Sequence, residues 1–163
     1  MLRIVRTMKE LNFAQLMAVY AESNRENGDE FYPQLSPGER LLQAEQDFYE
    51  YLRGSFFKTE GAYYALWMEN GTYVSALRIE PYKDGVLLEA LETAPEHRCR
   101  GYAKQLMEAV LAGEKRVYSH VGKRNLPSLR VHAACGFQRI SEQAVYIDGS
   151  VNSKCCTLCY LAE

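Results

Sequence analysis

The sequence lacks any apolar run close to the roughly 20 residues that a membrane-spanning helix needs. Its amino terminus, MLRIVRTMKELNF, contains only a short apolar patch interrupted by Arg3 and Arg6, so it does not have the pattern of a secretory signal. An excess of charge is also missing, because the formal net charge is −2. This balance argues against a chain built to bind nucleic acid or an anionic membrane, and we expect neither partner. Any anion-binding site must therefore be local.

Cysteine is scarce and irregularly spaced, with five residues that form no disulfide framework. This usage indicates a reducing compartment, and we expect a cytoplasmic location. Cys156 and Cys159 form a C-x-x-C pair, which can belong to a metal or redox site, but no second pair completes it. In a strand the two side chains would point to opposite faces. We therefore interpret the cysteines as small apolar side chains and expect no metal.

The first third of the chain predicts one strand and two helices. Residues 2–6 are typical of a short strand, and the apolar spacing over 8–24 predicts a helix. The residues predicted to share one face of that helix are Leu11, Ala14, Ala18 and Ala21. Residues 25–39 contain an Asn-Gly, two prolines and a Pro-Gly, which favour a loop, and a second helix is predicted from Arg40 to Gly54.

The pattern then changes to strands. Asn70-Gly71 and Asp84-Gly85 separate three runs rich in Tyr and Val, which predicts an antiparallel meander over 62–68, 72–80 and 86–93. The remainder predicts a helix, a strand, a short helix and two strands around Asp148-Gly149. We therefore expect a single α+β domain over residues 1–163. Its central mixed, mostly antiparallel sheet would have about six to seven strands flanked by about four helices.

The stretch PEHRCRGYAK joins the third strand of the meander to the next helix. Amides at a helix start are unpaired and can hold phosphate, and Gly101 allows the backbone to approach a ligand closely. Arg98 and Arg100 add positive charge. The stretch matches neither GxxxxGK[ST] nor GxGxxG, so a nucleotide-triphosphate loop or a dinucleotide fold is not supported. Taken alone, the stretch favours a solvated loop over an anion site.

Two longer blocks resemble a known family. LETAPEHRCRGYAKQLM resembles the acetyl-coenzyme A signature of the GNAT superfamily of N-acetyltransferases, in which Arg/Gln-x-x-Gly-x-Gly/Ala opens a helix. Arg98, Gly101 and Ala103 occupy the defining positions. NLPSLRVHAACGF resembles a second block of the family. Its matching positions are Asn125, Ser128, Gly136 and Phe137. The resemblance is specific over 86–137 and architectural elsewhere.

The resemblance implies a GNAT-like fold and acetyl-coenzyme A as co-substrate. Backbone groups near Leu91 and Thr93 are expected to pair with the pantetheine arm as an added strand. The amides from Cys99 through Ala103 are expected to hold the pyrophosphate, with the side chains of Arg98 and Arg100 assisting, and Asn125 is expected to approach from the other side. The expected coenzyme-binding residues are Leu91, Thr93, Arg98, Cys99, Arg100, Gly101, Tyr102, Ala103, Asn125 and Ser128.

Direct acetyl transfer needs a base for the amine and a proton for the departing thiolate. Some members of the family carry a glutamate at the position of Glu89 that acts on the amine through water. Glu89 is therefore the expected base and Glu92 the second candidate; the alternative is a carboxylate without a chemical role. A strict two-residue period places two sets on opposite faces of the strand: Leu87, Glu89, Leu91 and Thr93 on one, and Leu88, Ala90 and Glu92 on the other.

The expected acid is His132. In the second block the family usually has a tyrosine five residues before the phenylalanine, and here that position holds His132. An imidazole can donate a proton near neutral pH. The alternative, a packed and hydrogen-bonded histidine in a short apolar helix, stays open.

The expected function is an N-acetyltransferase that transfers acetyl directly from acetyl-coenzyme A to a primary amine of a small molecule. Two alternatives stay open: acetylation of a protein terminus or lysine, and a non-catalytic acyl-coenzyme A-binding module. Acidic and aromatic residues between 25 and 60 would suit a cationic amine, or would be core residues and a solvated helix face. A homodimer is left open as the assembly.

Overall fold

Nine strands and five α-helices are present in the computed structural model, which describes residues 1–163. The strands are β1 (Leu2–Val5), β2 (Tyr63–Glu69), β3 (Thr72–Tyr82), β4 (Gly85–Thr93), β5 (Arg116–Gly122), β6 (Gln138–Ser141), β7 (Ala144–Val145), β8 (Val151–Asn152) and β9 (Cys155–Leu161). The helices are α1 (Phe13–Val19), α2 (Ala21–Phe31), α3 (Pro37–Gly54), α4 (Tyr102–Leu111) and α5 (Leu126–Ala134). No helix combines the length and the apolar composition needed to cross a bilayer.

Seven of the strands form one sheet in the order β1-β2-β3-β4-β5-β9-β6, and β7 and β8 form a separate hairpin. Every neighbouring pair in the large sheet is antiparallel except β4 and β5. The predicted fold class, a mostly antiparallel mixed sheet with flanking helices, is therefore confirmed. The predicted meander is also confirmed, because Asn70-Gly71 and Asp84-Gly85 lie at its two turns.

Apolar side chains cover both faces of the sheet. Helices α4 and α5 pack on one face, where Leu106, Met107 and Val110 are buried. Helices α1 and α3 pack on the other, where Leu16 and Leu52 are fully buried. We call these the α4 face and the α3 face. The central strands are thus buried on both sides.

The prediction of one helix over 8–24 was wrong. A short 3-10 turn precedes α1, which starts where the Asn12 side chain accepts a hydrogen bond from the Gln15 amide at 3.1 Å. Tyr20 then leaves the helical conformation and separates α1 from α2. Because of this break, Leu16 and Val19 are buried, whereas Ala14 and Ala18 of the predicted apolar face are exposed.

The predicted loop was also wrong over its first part, because α2 continues to Phe31. The Asn27-Gly28 pair, interpreted as a turn, lies inside this helix. The reason is packing: a Cβ at Gly28 would lie 2.7 Å from the Arg40 carbonyl oxygen, so the missing side chain lets α2 approach α3. At the carboxyl end, four strands replace the two predicted ones, and Asp148-Gly149 forms the turn between β7 and β8.

Candidate active site

The parallel strands β4 and β5 separate after a short contact. Val86, Leu87 and Leu88 pair with residues of β5, and the pairing ends there. Beyond this point β4 pairs only with β3, and β5 pairs only with β9. Residues 89–93 of β4 therefore present one backbone edge without a neighbouring strand, which an extended ligand can join as an added strand. Leu91 and Thr93, the residues predicted to pair with pantetheine, both lie on this edge.

A β-bulge changes the faces of β4. Ala76 pairs with Glu92 and Arg78 pairs with Glu89, so β4 has one residue more than β3 between these pairs. Ala90 has a positive φ of 51°, and its carbonyl accepts a 2.6 Å hydrogen bond from the Tyr20 hydroxyl. The predicted strict alternation was therefore wrong. Glu89 and Glu92 share the α3 face, whereas Leu88 and Leu91 contact the core on the α4 face.

The loop between β4 and α4 presents free amides. The first hydrogen bond at this end of α4 runs from the Gln105 amide to the Gly101 carbonyl, and the amides of residues 99–104 have no acceptor in the chain. Cys99 and Gly101 both have positive φ, at 60° and 79°. Left-handed residues in such a turn direct successive N–H groups into one concavity, a common anion-binding arrangement. The residues from Cys99 through Ala103 thus fit a pyrophosphate by their backbone alone.

The two arginines of the loop differ in their partners. The Arg98 guanidinium pairs with Glu22 of α2, and its Nε donates to the Thr93 carbonyl at 3.3 Å. This side chain therefore fastens the loop to α2 rather than pointing freely to a ligand. Arg100 is exposed and makes no ion pair within the chain, so it is the arginine available for a phosphate.

Asn125 and Ser128 belong to the start of α5. The Asn125 side-chain oxygen caps the helix by accepting the Ser128 amide at 3.2 Å, which leaves the Asn125 amide group free to donate. Both residues follow β5 directly, on the far side of the gap from β4. The structure therefore brings the two sequence blocks to opposite sides of one cleft.

Glu89 occupies the α3 face just before the bulge. Its Oε2 lies 3.4 Å from Arg78 Nε, and the Arg78 guanidinium stacks over the Tyr51 ring at 4.9 Å. The Glu89 side chain is 22% exposed, so it is reachable but largely shielded. Burial chiefly raises the pKa of Tyr51; the Arg78 charge opposes this rise, and the nearby carboxylates add to it. Glu89 is thus placed beside the unpaired edge of β4.

Sequence reasoning missed Glu80, which also lies on the α3 face. It is 8% exposed, and burial followed by a hydrogen bond with Glu89 raises its pKa to about 7. The only sequence signal was that Glu80 is two residues from Arg78, which places both on one face of β3. Glu80 was the last residue of the predicted strand, so this signal was weak. Glu92, the second candidate base, lies nearer α2. Burial raises its pKa, although a hydrogen bond with Ser23 opposes this rise.

Comparison with known proteins decides the family. Residues 15–137 match the Acetyltransferase (GNAT) family, which is most of the chain. The chain belongs to the GNAT family of acetyltransferases. No curated protein sequence matches it. As a GNAT protein it is an acetyl-coenzyme A-dependent N-acetyltransferase, and the resemblance of its two sequence blocks is confirmed.

Solved structures of other GNAT proteins share the fold. The PaiA N-acetyltransferase of Thermoplasma acidophilum, in complex with coenzyme A, has a TM-score of 0.67 at 13% identity, with 99% of each chain covered. A spermidine N-acetyltransferase of Vibrio cholerae, in complex with CoA and spermine, has a TM-score of 0.60 at 15% identity, covering 99% of this chain and 94% of that one. A ribosomal-protein-alanine N-acetyltransferase of Brucella melitensis has a TM-score of 0.60 at 13% identity, with 99% of each chain covered. At these identities the likeness shows the fold alone.

In this GNAT protein the residue predicted as the acid is buried and fully hydrogen-bonded. His132 is 1% exposed, with Nδ1 2.8 Å from the Ser128 carbonyl and Nε2 2.9 Å from the Ser119 hydroxyl. Because a carbonyl only accepts, Nδ1 carries the proton and Nε2 accepts from Ser119. Burial lowers the pKa of His132. No ring nitrogen is free for a thiolate, and the role of proton donor stays a prediction.

Replacement of His132 by phenylalanine distinguishes a proton donor from a residue that only positions α5. We expect it to leave the Ser119 hydroxyl unpaired and to lower the free energy of unfolding by about 1–3 kcal/mol. Ser119→Ala removes the same hydrogen bond and is expected to cause a similar loss in thermal unfolding. If His132 only positions α5, we expect the transfer rate of the folded variant to stay within about tenfold of the wild-type rate. A loss of about 100-fold or more, with coenzyme affinity unchanged, would establish His132 as the proton donor.

The aromatics between 25 and 60 divide between core and surface: Phe48 and Phe57 pack half-buried against the core, whereas Phe31 and Tyr51 are exposed. Phe56 is fully buried and packs against Tyr64 with ring centroids 5.5 Å apart, and Tyr49 packs edge-on against Phe13 at 5.1 Å. Tyr51 differs, because it contacts Arg78 in the site.

The carboxyl-terminal cysteines project as expected: Cys156 lies in the core on the α4 face and Cys159 on the opposite face. No group of three His, Cys, Asp or Glu side chains is arranged to hold a metal ion.

Proposed function

We propose that this protein transfers acetyl from acetyl-coenzyme A to the primary amine of a small molecule. The observation that carries this proposal is the unpaired edge of β4, which lies between the free amides of residues 99–104 and the carboxylate of Glu89. One end of this edge fits the pyrophosphate, and the other reaches a base. A binding module would need only the first of these features.

The coenzyme is held mainly by backbone groups. Amides of the loop donate to the pyrophosphate, with Arg100 as the available guanidinium. The open edge at Leu91 and Thr93 pairs with the amides of pantetheine, and the free Asn125 amide group closes the cleft from α5. When bound, acetyl-coenzyme A supplies the activated acetyl group as a thioester.

Glu89 is the residue that we assign to the acceptor amine. It lies on the α3 face, whereas α4 and its amides lie on the α4 face. The amine therefore enters the gap between β4 and β5 from the α3 face. Glu92 lies one pair further toward α2 and is the second candidate. A carboxylate attracts the ammonium form of the acceptor and then accepts its proton.

A small acceptor is favoured by the shielding of the site. The side chains of Glu89 and Arg78 are 22% and 19% exposed, and the Tyr51 ring of α3 stacks on the Arg78 guanidinium. An extended polypeptide needs an open cleft, whereas a compact amine does not. The spermidine N-acetyltransferase that shares this fold is bound to spermine, which makes spermine a suitable first acceptor to test. The ribosomal-protein-alanine N-acetyltransferase makes a peptide with an amino-terminal alanine the competing one.

Thermal unfolding tests the coenzyme site. A ligand at about 100 times its dissociation constant adds about 2.7 kcal/mol to the free energy of unfolding. For a chain of this length we expect acetyl-coenzyme A to raise the melting temperature by roughly 5–10 °C. Unchanged melting at millimolar coenzyme would overturn the proposed coenzyme site.

Release of free coenzyme thiol tests the transfer. We expect steady release that depends on added spermine and exceeds the release seen with the alanine peptide. Faster release with the peptide would instead identify protein amino termini as the acceptors. Coenzyme-induced stabilisation without release by any amine would indicate a binding module.

A further inference from the structure

Glu80 and Glu89 lie side by side on the α3 face of the sheet. Arg78 pairs with Glu89 across β3 and β4, and Glu80 pairs with Leu87 two residues along. Side chains at alternate positions share a face, so Glu80 is the diagonal neighbour of Glu89. Glu80 is only 8% exposed, and a proton on either carboxyl allows that group to donate a hydrogen bond to the other.

The charges of this cluster do not balance when both carboxyls are ionised. Arg78 lies 3.4 Å from Glu89 and neutralises one negative charge, which leaves a second in a shielded position. Burial and the neighbouring carboxylate both disfavour this second charge. These two causes, burial first, raise the pKa of Glu80 to about 7, although Arg78 opposes them.

Arg78 is the cation that lowers the pKa of Glu80, whereas the Lys83 ammonium lies over the Tyr82 and Tyr118 rings. The titratable and charged groups that face the pair are Arg78 from β3, Tyr64 from β2, Tyr51 from α3, His120 from β5 and Tyr146 from the β7–β8 hairpin. Burial lowers the pKa of His120, so its imidazole is uncharged at pH 7 and above. The Tyr64 hydroxyl is fully buried and has no hydrogen-bond partner, although it lies in the same cross-strand row as Arg78 and Glu89.

We propose that Glu80 shares one proton with Glu89, and that this pair, rather than Glu89 alone, accepts the proton that the acceptor amine loses. The inference rests on the proposed acetyl transfer. The ionised pair takes one proton from the ammonium, and the freed nitrogen lone pair forms a bond to the thioester carbonyl carbon. The carbon–sulfur bond breaks with its electron pair on sulfur. The second proton lost by nitrogen ends on that thiolate, giving amide and free coenzyme thiol.

The shared proton can be observed without any acceptor. In protein labelled with ¹³C at glutamate side-chain carboxyls, we expect one resonance to titrate with a midpoint near pH 7 in the wild type. This titration disappears in Glu80→Gln, and in Glu89→Gln it moves to lower pH. Glu60→Gln, which changes an exposed carboxylate in the turn before β2, leaves it in place. If no glutamate titrates above about pH 5.5, the shared proton is disproved.

The pH dependence of transfer then tests its use. With spermine as acceptor, we expect the acidic limb of kcat/KM to have its midpoint near pH 7 in the wild type and in Glu60→Gln. In Glu80→Gln the second carboxyl is absent and cannot share the proton, so the limb moves to lower pH. A uniform loss without movement of the limb overturns the role of the pair. Absence of transfer to any amine by the wild type overturns the proposed function, while the carboxyl titration still decides whether the proton is shared.

Discussion

Glu89→Gln is expected to lower kcat by about 10²- to 10⁴-fold, the usual contribution of a general base. Glutamine keeps the size and the polar contacts of the side chain but cannot accept a proton, whether Glu89 acts alone or with Glu80. The coenzyme site is expected to be unaffected, because it consists of the backbone edge of β4 and the loop amides. The measurement is the initial rate of thiol release with spermine, alongside the melting shift produced by acetyl-coenzyme A.

The fold is expected to survive this substitution. Arg78 keeps its stacking on Tyr51, and Glu80 can ionise and pair with Arg78 when Glu89 no longer carries a charge. Glu60→Gln is the matched control, since it removes an exposed carboxylate and is expected to leave kcat at the wild-type value. Wild-type turnover by Glu89→Gln across the pH range would remove Glu89 as the base.

The coenzyme loop could be predicted from the sequence because its determinants are local. A proline, a glycine and a helix with apolar spacing follow one another within the stretch PEHRCRGYAK, and each limits the backbone directly. The structure places Gly101 at the positive φ that starts α4. The same locality explains the meander, since Asn-Gly and Asp-Gly turns require only neighbouring residues.

The bulge in β4 could not be predicted because a distant residue stabilises it. Ala90 has no sequence signal for a positive φ, which usually falls to glycine or asparagine. Its carbonyl is held by Tyr20, which is 70 residues away in the chain. The bulge reverses the alternation of every later side chain in β4. Without it, Glu92 would lie on the face opposite Glu89, so the composition of the acidic face depends on this one tertiary contact.

The relation of Glu80 to Glu89 was hidden for a similar reason. Their contact depends on the register between β3 and β4, which the Asp84-Gly85 turn sets, and on burial that only the complete sheet provides. The pKa of a carboxyl responds to both. A sequence shows which carboxylates exist, but their separation and shielding, which decide chemistry, come from the fold.

The other large effect is expected at Gly101. Gly101→Val places a β-branched residue at φ 79°, a conformation that costs an L-residue about 1–2 kcal/mol. To relieve this strain the turn must rotate its amides away from one another, and the concavity for the pyrophosphate is lost. We expect the melting shift of roughly 5–10 °C with acetyl-coenzyme A to disappear.

A control with equal strain separates the loss of binding from the loss of stability. Gly71→Val introduces valine at φ 78° in the β2–β3 turn, where an added Cβ meets no atom within 4 Å. It is expected to lower the melting temperature of the free protein similarly and to keep the full coenzyme shift. Gly101→Ala adds a milder arm, because its Cβ contacts only Gln105 Nε2 at 3.6 Å. If both Gly101 variants fold and keep the wild-type shift, the pyrophosphate does not bind at this loop.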